Sequence, residues 1–461
     1  MERSPLHLEE ALSVVARTVP QEVAGRVTEL TGLVLRATAP GARVGELVRI
    51  ERVGQPERPL LAEVVGFRAD EVVLLPLGPV AGVGPDSVVR PTGRPFCIRA
   101  GPPLLGRVLD GLGEPMDGGP PLKEALPGEL PLRPVERPAV MPLRRRRITR
   151  MLPLGLRAID GCLTLGEGQR IGLFAGPGLG KSLLLGQIAR QAEADAIVIG
   201  LIGERGREVR DFVEQQLDPP TRARAVVVCA TSDQAPLLRL KAALVATAIA
   251  EELRDRGQRV LLLIDSLTRV ARAQREVGLA AGELPARQGY PPSVFALLPR
   301  LLERAGQGPV RPDGLKGSIT AVYAVLTTGS EQDPDDLIAE EARATLDGHI
   351  TLSRHLAERG HFPAIDLLRS LSRVMDDLVD PAQRQAVLRM RETLSVCERQ
   401  RDLLLLGAYQ RGTDPQTDAA LGRLPAIEAF LRQGQWERSD FQETRRRLLE
   451  LFPPDPPEPQ A

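Results

Sequence analysis

The sequence predicts an α/β core built on a parallel sheet, with a small β domain before it and a helical region after it. Three observations predict this. Between Gly155 and about Asp376, apolar runs of strand length (IGLFA, AIVIGLI, AVVVCA, VLLLID, SITAVYAVL) alternate with helical stretches, as strands covered on both faces require. From Arg26 to Val89, short β-rich runs are divided by Gly, Pro and Asp turns, the pattern of a small sandwich or barrel. Beyond Pro381 the chain is charged and helical, with no strand signal.

Length and charge narrow the classes. At 461 residues the chain is long enough for roughly three domains. Lys+Arg and Asp+Glu both number 60, so no global charge draws the protein to nucleic acid or an anionic membrane. Cys97, Cys162, Cys229 and Cys397 lie far apart without metal spacing, and read as reduced, mostly buried thiols of a cytosolic protein. Acids at the start of the chain argue against a signal peptide, and no apolar stretch approaches the roughly 20 residues that span a bilayer.

Taken in order, the chain opens with Leu8, Leu12, Val15 and Val19 on one helical face. Such a helix either packs on its own domain or docks a partner. The β runs VTELTGLVLRA, LVRIERV, LLAEVVGF and EVVLLPL follow. Leu105 to Gly118 then begins a Pro/Gly-rich connector that extends to about Pro142. The run Arg144 to Arg147 is the densest charge in the chain. It reads as a solvated or intersubunit face, with anionic lipid or a pore as the other use. Helices are expected at Ser182–Ala192 and Leu237–Arg256 within the core, and the chain ends in PPDPPEPQA, a composition that favours disorder.

One motif carries chemistry unaided. A strand, Ile171–Phe174, runs into Ala175-Gly176-Pro177-Gly178-Leu179-Gly180-Lys181-Ser182 and then into a helix beginning at Leu183. This is a phosphate loop in its required context. Its glycines let backbone N–H groups turn inward around phosphates, and the helix adds its positive dipole end. The pattern implies ATP with Mg²⁺: Lys181 on the β- and γ-phosphates, Ser182 on the metal, and Ala175 through Leu183 as the binding segment. Asp265 ends the strand VLLLID at the sheet edge where ligands bind, and can hold Mg²⁺ directly or through water. Glu204 follows the strand AIVIGLI at the same edge and can orient and deprotonate the attacking water.

Gly203-Glu204-Arg205 so placed resembles the catalytic loop of the rotary ATP synthase catalytic-subunit superfamily. GERGREVRDFVEQQL, ATSDQAPLLRLKAALVATAIAEELRDRGQRVLLLIDSLTRVARAQREVGLAAGE, GYPPSVFALLPRLLERAG and LDGHITLSRHLAERGHFPAIDLLRSLSRVM resemble the ATPases of type III protein secretion, injectisome and flagellar export members included. The likeness runs from about Val27 to about Asp440; PAID before SLSRVM inclines it to the injectisome branch. It implies a RecA-like P-loop core with an N-terminal β-barrel and a C-terminal helical domain. The divisions expected are 1–95 (short helix plus barrel), 96–380 (ATPase domain with its connector) and 381–461 (helices and tail). It implies Glu204 as catalytic glutamate, Arg205 beside it near the γ-phosphate, Phe362 stacked on adenine, and Arg373 as an arginine finger acting in the next subunit's site. A homohexameric ring is implied, with a stator or regulator at the N-terminal helix, a central stalk, secretion chaperones and export substrates, an export gate and no nucleic acid. The location implied is cytoplasmic, peripheral to the inner face of the membrane.

The chain departs from the family pattern at Pro177 and Leu179, where Ser and Val are usual, at Val270 for an aromatic, at Leu284 for a proline, after TTGSEQDPDD, and in its four-arginine run. Two other functions fit a P-loop core. A subunit of a rotary ATP synthase would share its duties within a paired hetero-ring, whereas this chain carries Lys181, Glu204 and Arg373 together. An RNA-translocating ring would want stacking aromatics in its N-terminal domain, and aromatics make up just 3% of the chain.

Overall fold

The computed structural model describes Ser13 and residues 24–54, 57–122, 130–327 and 337–454. The amphipathic N-terminal segment, the end of the PPDPPEPQA tail and most of TTGSEQDPDD lie outside the described residues. Contacts divide the chain into two units, 1–96 with Ala280–Gly282, and Cys97–Leu279 with Glu283–Ala461.

In the first unit six strands close a barrel: β1 (Gly25–Thr31), β2 (Val34–Ala37), β3 (Glu46–Ile50), β4 (Leu60–Arg68), β5 (Glu71–Pro76) and β6 (Val88–Pro95), in the order β1-β2-β5-β4-β3-β6. Closure removes the exposed strand edges that a sandwich would leave. Val27, Leu35, Val48, Ile50, Leu60, Val64, Leu74 and Val89 fill the interior. The run VTELTGLVLRA is a hairpin of two strands, β1 and β2. Strand β6 (VVRPTGRP) extends past the expected limit at Val89, because Pro91, Gly93 and Pro95 read as turn residues in sequence.

The second unit is built on a nine-stranded sheet. Its strands are β8 (Val108–Leu109), β10 (Arg170–Ala175), β11 (Ala196–Glu204), β12 (Ala225–Thr231), β13 (Arg259–Asp265), β14 (Gly306–Gln307), β15 (Ser318–Leu326), β16 (Gly348–Leu352) and β17 (Ile365–Ser372). A separate pair, β7 (Cys97–Arg99) and β9 (Leu132–Pro134), lies outside it. The order is β17-β16-β10-β15-β13-β11-β12-β8, parallel except for β17 against β16, with β14 pairing antiparallel to β15. All nine residues of β11 are buried, which explains its near-continuous apolar text. The connector is more than a crossing: its β8 adds an edge strand beside β12.

Helices α1 (Arg157–Cys162), α2 (Lys181–Gln191), α3 (Gly206–Asp211), α4 (Pro236–Asp255), α5 (Leu267–Ala280), α6 (Pro292–Leu302) and α7 (Leu337–Thr345) join the strands. The C-terminal region supplies α8 (Pro381–Arg399), α9 (Pro415–Leu431) and α10 (Phe441–Leu451). Each of these three starts behind an aspartate, Asp380, Asp414 or Asp440, whose carboxylate accepts from free N–H groups of the first turn. Met390, Ile427, Phe430 and Leu448 from these helices, with Phe452 just past α10, share one buried cluster with Ile159 and Leu173.

The four-arginine run splits in two. Arg144 and Arg147 are exposed, but Arg145 donates to the carbonyls of Val140 (3.0 Å) and Ala305 (2.8 Å), and Arg146 to that of Gly317 (2.7 Å). Half of the run is therefore an internal strap on the loops around β14, neither solvated face nor lipid anchor. Cys162, Cys229 and Cys397 are buried and Cys97 half-buried, and none of the four is joined in a disulfide. Among the described residues no helix is long and apolar enough to cross a membrane.

Candidate functional site

Strand β10 ends at the buried Ala175, and the chain then rises through an exposed crest at Pro177 and Gly178 before the buried Leu179 anchors its far side. Gly178 and Gly180 have φ of 78° and 81°, a region that side chains rarely adopt, and a Cβ at Gly178 would touch nothing within 4 Å. Backbone conformation, rather than crowding, therefore demands glycine at the crest. Gly180 precedes α2, so the free N–H groups of its first turn and its dipole end stand behind the loop. Ser182 and Leu183 are exposed at the start of the helix.

Lys181, Glu204 and Asp265, far apart in sequence, meet at the C-terminal edges of β10, β11 and β13. The Lys181 ammonium is bonded to Asp265 Oδ1 and lies 3.6 Å from Glu204 Oε1. Lys181 is only 12% exposed there, Glu204 8% and Asp265 3%. Burial pushes the Glu204 carboxyl up to about 7; the Asp265 charge and a bond with Glu208 add to the rise, against Lys181 and Arg269. A carboxyl near neutrality beside a phosphate loop can hold or release a proton at working pH.

Arg269 is a member that sequence reasoning missed. It pairs with Glu204 Oε2 at 3.1 Å and donates to the carbonyl of Gly203, holding the carboxylate by the oxygen that Lys181 does not face. Its one signal was position, four residues past Asp265 in the first turn of α5. Arg205, Arg239, Arg269 and Arg272 line a cleft of about 280 Å³ at this edge with Glu276, which pairs with Arg239 at 2.7 Å, so guanidiniums outnumber carboxylates there. Arg205 itself is 80% exposed, 3.4 Å from Glu208.

Phe362, 42% exposed, lies against the loop: a Cβ on Gly180 would stand 3.5 Å from its ring. Its carbonyl accepts from Gln433 N at 2.9 Å. Gln433 opens a turn that grips α2 as well, since Gln187 donates to Gly434 O (3.2 Å), Arg190 to Gln435 O (2.9 Å) and Gln191 to Glu437 O (2.8 Å). The Arg190 guanidinium also covers the Trp436 ring at 4.0 Å. The C-terminal helices thus reach the helix behind the phosphate loop, a connection that no sequence motif announced.

Arg373 is not brought to this cluster. Ser372 pairs with Gly348 at the start of β16, and β16 runs parallel to β10, so Arg373 stands level with the start of β10. The five residue steps of β10 put roughly 17 Å between that level and the loop, more than an arginine side chain spans. It is exposed, 3.4 Å from the carbonyl of Arg343.

Comparison with known proteins gives the family. Residues 155–372 match the nucleotide-binding domain of the ATP synthase alpha/beta family and 27–93 its beta-barrel domain. Residues 379–450 match the T3SS EscN ATPase C-terminal domain. The "Flagellum-specific ATP synthase" of Salmonella typhimurium is 50% identical over 437 residues, 93% of each chain. The "Type 3 secretion system ATPase" of Pseudomonas syringae pv. syringae is 49% identical over 433 residues, 93% of this chain and 94% of that one. This chain belongs to the type III secretion ATPase family. A solved member, the assembled ATPase EscN with its central stalk EscO from enteropathogenic E. coli, superposes with a TM-score of 0.82 at 43% identity, covering 93% of this chain and 99% of that one. Flagellar and injectisome relatives stand at nearly equal identity, so the inclination to one branch gains nothing from them. The matched nucleotide-binding domain contains the ends of β10, β11 and β13, and the barrel and the C-terminal helices are the matched flanking domains.

Proposed function

We propose that this chain is the ATP-hydrolysing motor of a type III protein secretion apparatus, coupling hydrolysis to chaperone release, unfolding and export of protein substrates. The observation that carries this reading is the meeting of Lys181, Glu204 and Asp265 at one sheet edge beside an open phosphate loop. The buried Asp265 has Lys181 as its counter-ion. When phosphates draw the lysine away, that carboxylate needs another cation. Mg²⁺ fits, with Asp265 and the exposed Ser182 hydroxyl as its protein partners, and its chemistry is to offset charge on the phosphate oxygens.

The loop from Ala175 to Leu183 binds and orients the phosphates, and Phe362 offers a ring for adenine. Glu204, steered by Lys181 and Arg269, orients the attacking water and takes its proton. Arg205 and the neighbouring arginines favour charge gathering on the transferred group. Arg373 acts on the nucleotide of a second copy, where a guanidinium supplied in trans is worth roughly 10³–10⁵ in rate. This implies a homohexameric ring, and the assembled state of EscN and its stalk support both the ring and a central stalk partner. A stator at the N-terminal segment, chaperones with their substrates and an export gate complete the partners proposed, at the inner face of the membrane. A rotary synthase subunit is the weaker reading, because the C-terminal helices match a secretion ATPase model.

Replacing Glu204 tests the chemistry. Glu204→Gln keeps the size of the side chain, so a fluorescent ATP analogue should still bind while turnover falls by roughly 10²–10⁴. Lys181→Ala should weaken both. Normal hydrolysis by Glu204→Gln would remove Glu204 from the role of base.

A further inference from the structure

Beneath Arg373 the structure holds a buried amide with two donors committed to one task. Gln169, fully buried at the foot of β10, donates from Nε2 to the Asp347 carbonyl (3.1 Å) and to Ser372 Oγ (3.1 Å). Its Oε1 accepts from Gly166 N at 2.9 Å. The Asp347 carbonyl also receives the backbone N–H of Arg373 at 3.0 Å, and the Ser372 hydroxyl donates onward to Thr164 O at 3.1 Å. Asp347 is clamped in turn by Arg170, whose Nε and Nη2 reach its two oxygens at 3.0 and 3.1 Å. Arg170 also meets Glu303 at 2.5 Å, and Glu303 meets Arg145 at 3.3 Å.

A satisfied buried amide is ordinary. What sets Gln169 apart is that both of its donated bonds end on groups flanking the backbone of Arg373. We propose that Gln169 is a positioning residue for the trans-acting arginine: it fixes the end of β17 so that the Arg373 guanidinium leaves the sheet edge in one direction. The proposal rests on the reading of Arg373 as serving a neighbouring copy. It assigns to β10 a second duty, since the strand that ends in a subunit's own phosphate loop begins at the mount of the finger it lends. An arginine aimed at a transferring phosphoryl group gains from such a mount, because misplacement by an ångström can cost about 10²-fold in rate.

Mixed rings of full-length chains test it. Gln169→Met keeps length and burial but removes both donors. It should bind a fluorescent ATP analogue like the parent and assemble normally, while turnover falls roughly 10- to 10²-fold. Mixing it with Lys181→Ala, whose loop is dead but whose finger is sound, should restore activity; mixing with Arg373→Ala should not. Restoration by Arg373→Ala instead would put the defect in the variant's own loop and overturn the proposal, as would unchanged turnover. Ser372→Ala, a gentler loss of one bond partner, should show a smaller defect rescued by the same chain, and it serves if Gln169→Met fails to fold. Failure of Lys181→Ala to rescue Arg373→Ala would defeat the trans reading itself, an outcome read without any Gln169 chain.

Discussion

At the scale of single residues, the carboxylate proposed as the base, Glu204, sits where its charge is costly. Burial first, then the neighbouring Asp265, pushes the Glu204 carboxyl up to about 7. A base must be ionised to accept a proton, so kcat/KM for ATP should rise with pH through about 7 and be lost below it. The rise should vanish in Glu204→Gln, measured as residual turnover across the same range; an unchanged profile would assign the titration to another group. Lys181, Glu204 and Asp265 were legible because each follows a recognisable strand, and strands of a parallel sheet deliver their last residues to one edge. Arg269 was not, being one of 60 basic residues with nothing local to mark it. Gln169 was hidden for a related reason, since a polar residue at the start of an apolar strand reads as part of a turn.

Among the elements, α1 shows how a buried charge can be structural. The Asp160 carboxylate accepts from Leu154 N (2.8 Å) and Gly155 N (2.7 Å), pinning the turn that leads into the helix. Burial nevertheless pushes it up to about 7, against these bonds. In the unfolded chain it titrates near about 3.9. The folded state therefore keeps a proton that the unfolded state releases, and stability from this group is full below about 4 and lost as pH rises through about 7. Asp160→Asn should flatten that slope by on the order of 1–3 kcal/mol, seen as thermal midpoints that change less between about pH 5 and about pH 8 than the parent's. Equal slopes would show that the group does not titrate in this window. Long apolar strands and the helical character beyond Pro381 were readable from pattern, though the aspartates that begin the three helices went unremarked. β6 was cut short by its prolines, β8 and β14 are two residues each, and β16 and β17 lie in text read only as a family motif. Arg145 and Arg146 misled because a charge run gives no sign of the carbonyls waiting for it.

For the whole molecule, the separation of Arg373 from the phosphate loop sets the expectation. If each site needs two copies, turnover per chain should rise with protein concentration until rings are complete, then level off. Turnover per chain that stays constant on dilution, with sedimentation reporting monomers at the low end, would mean that one copy suffices. The three-part layout was legible because composition changes at its seams. The grip of the Gln433–Glu437 turn on α2 was not, because it is made largely through backbone carbonyls, which sequence does not vary.

The two ends of β10 carry a genetic implication. If Arg373 serves a second copy, a chain broken at both Lys181 and Arg373 spoils the site it owns and the one it lends to. In a cell making intact and broken copies in equal amounts, random mixing would leave about a quarter of the sites whole rather than half. A defective allele of this kind should therefore be partly dominant, and more so the more strictly a ring requires its sites to fire in turn.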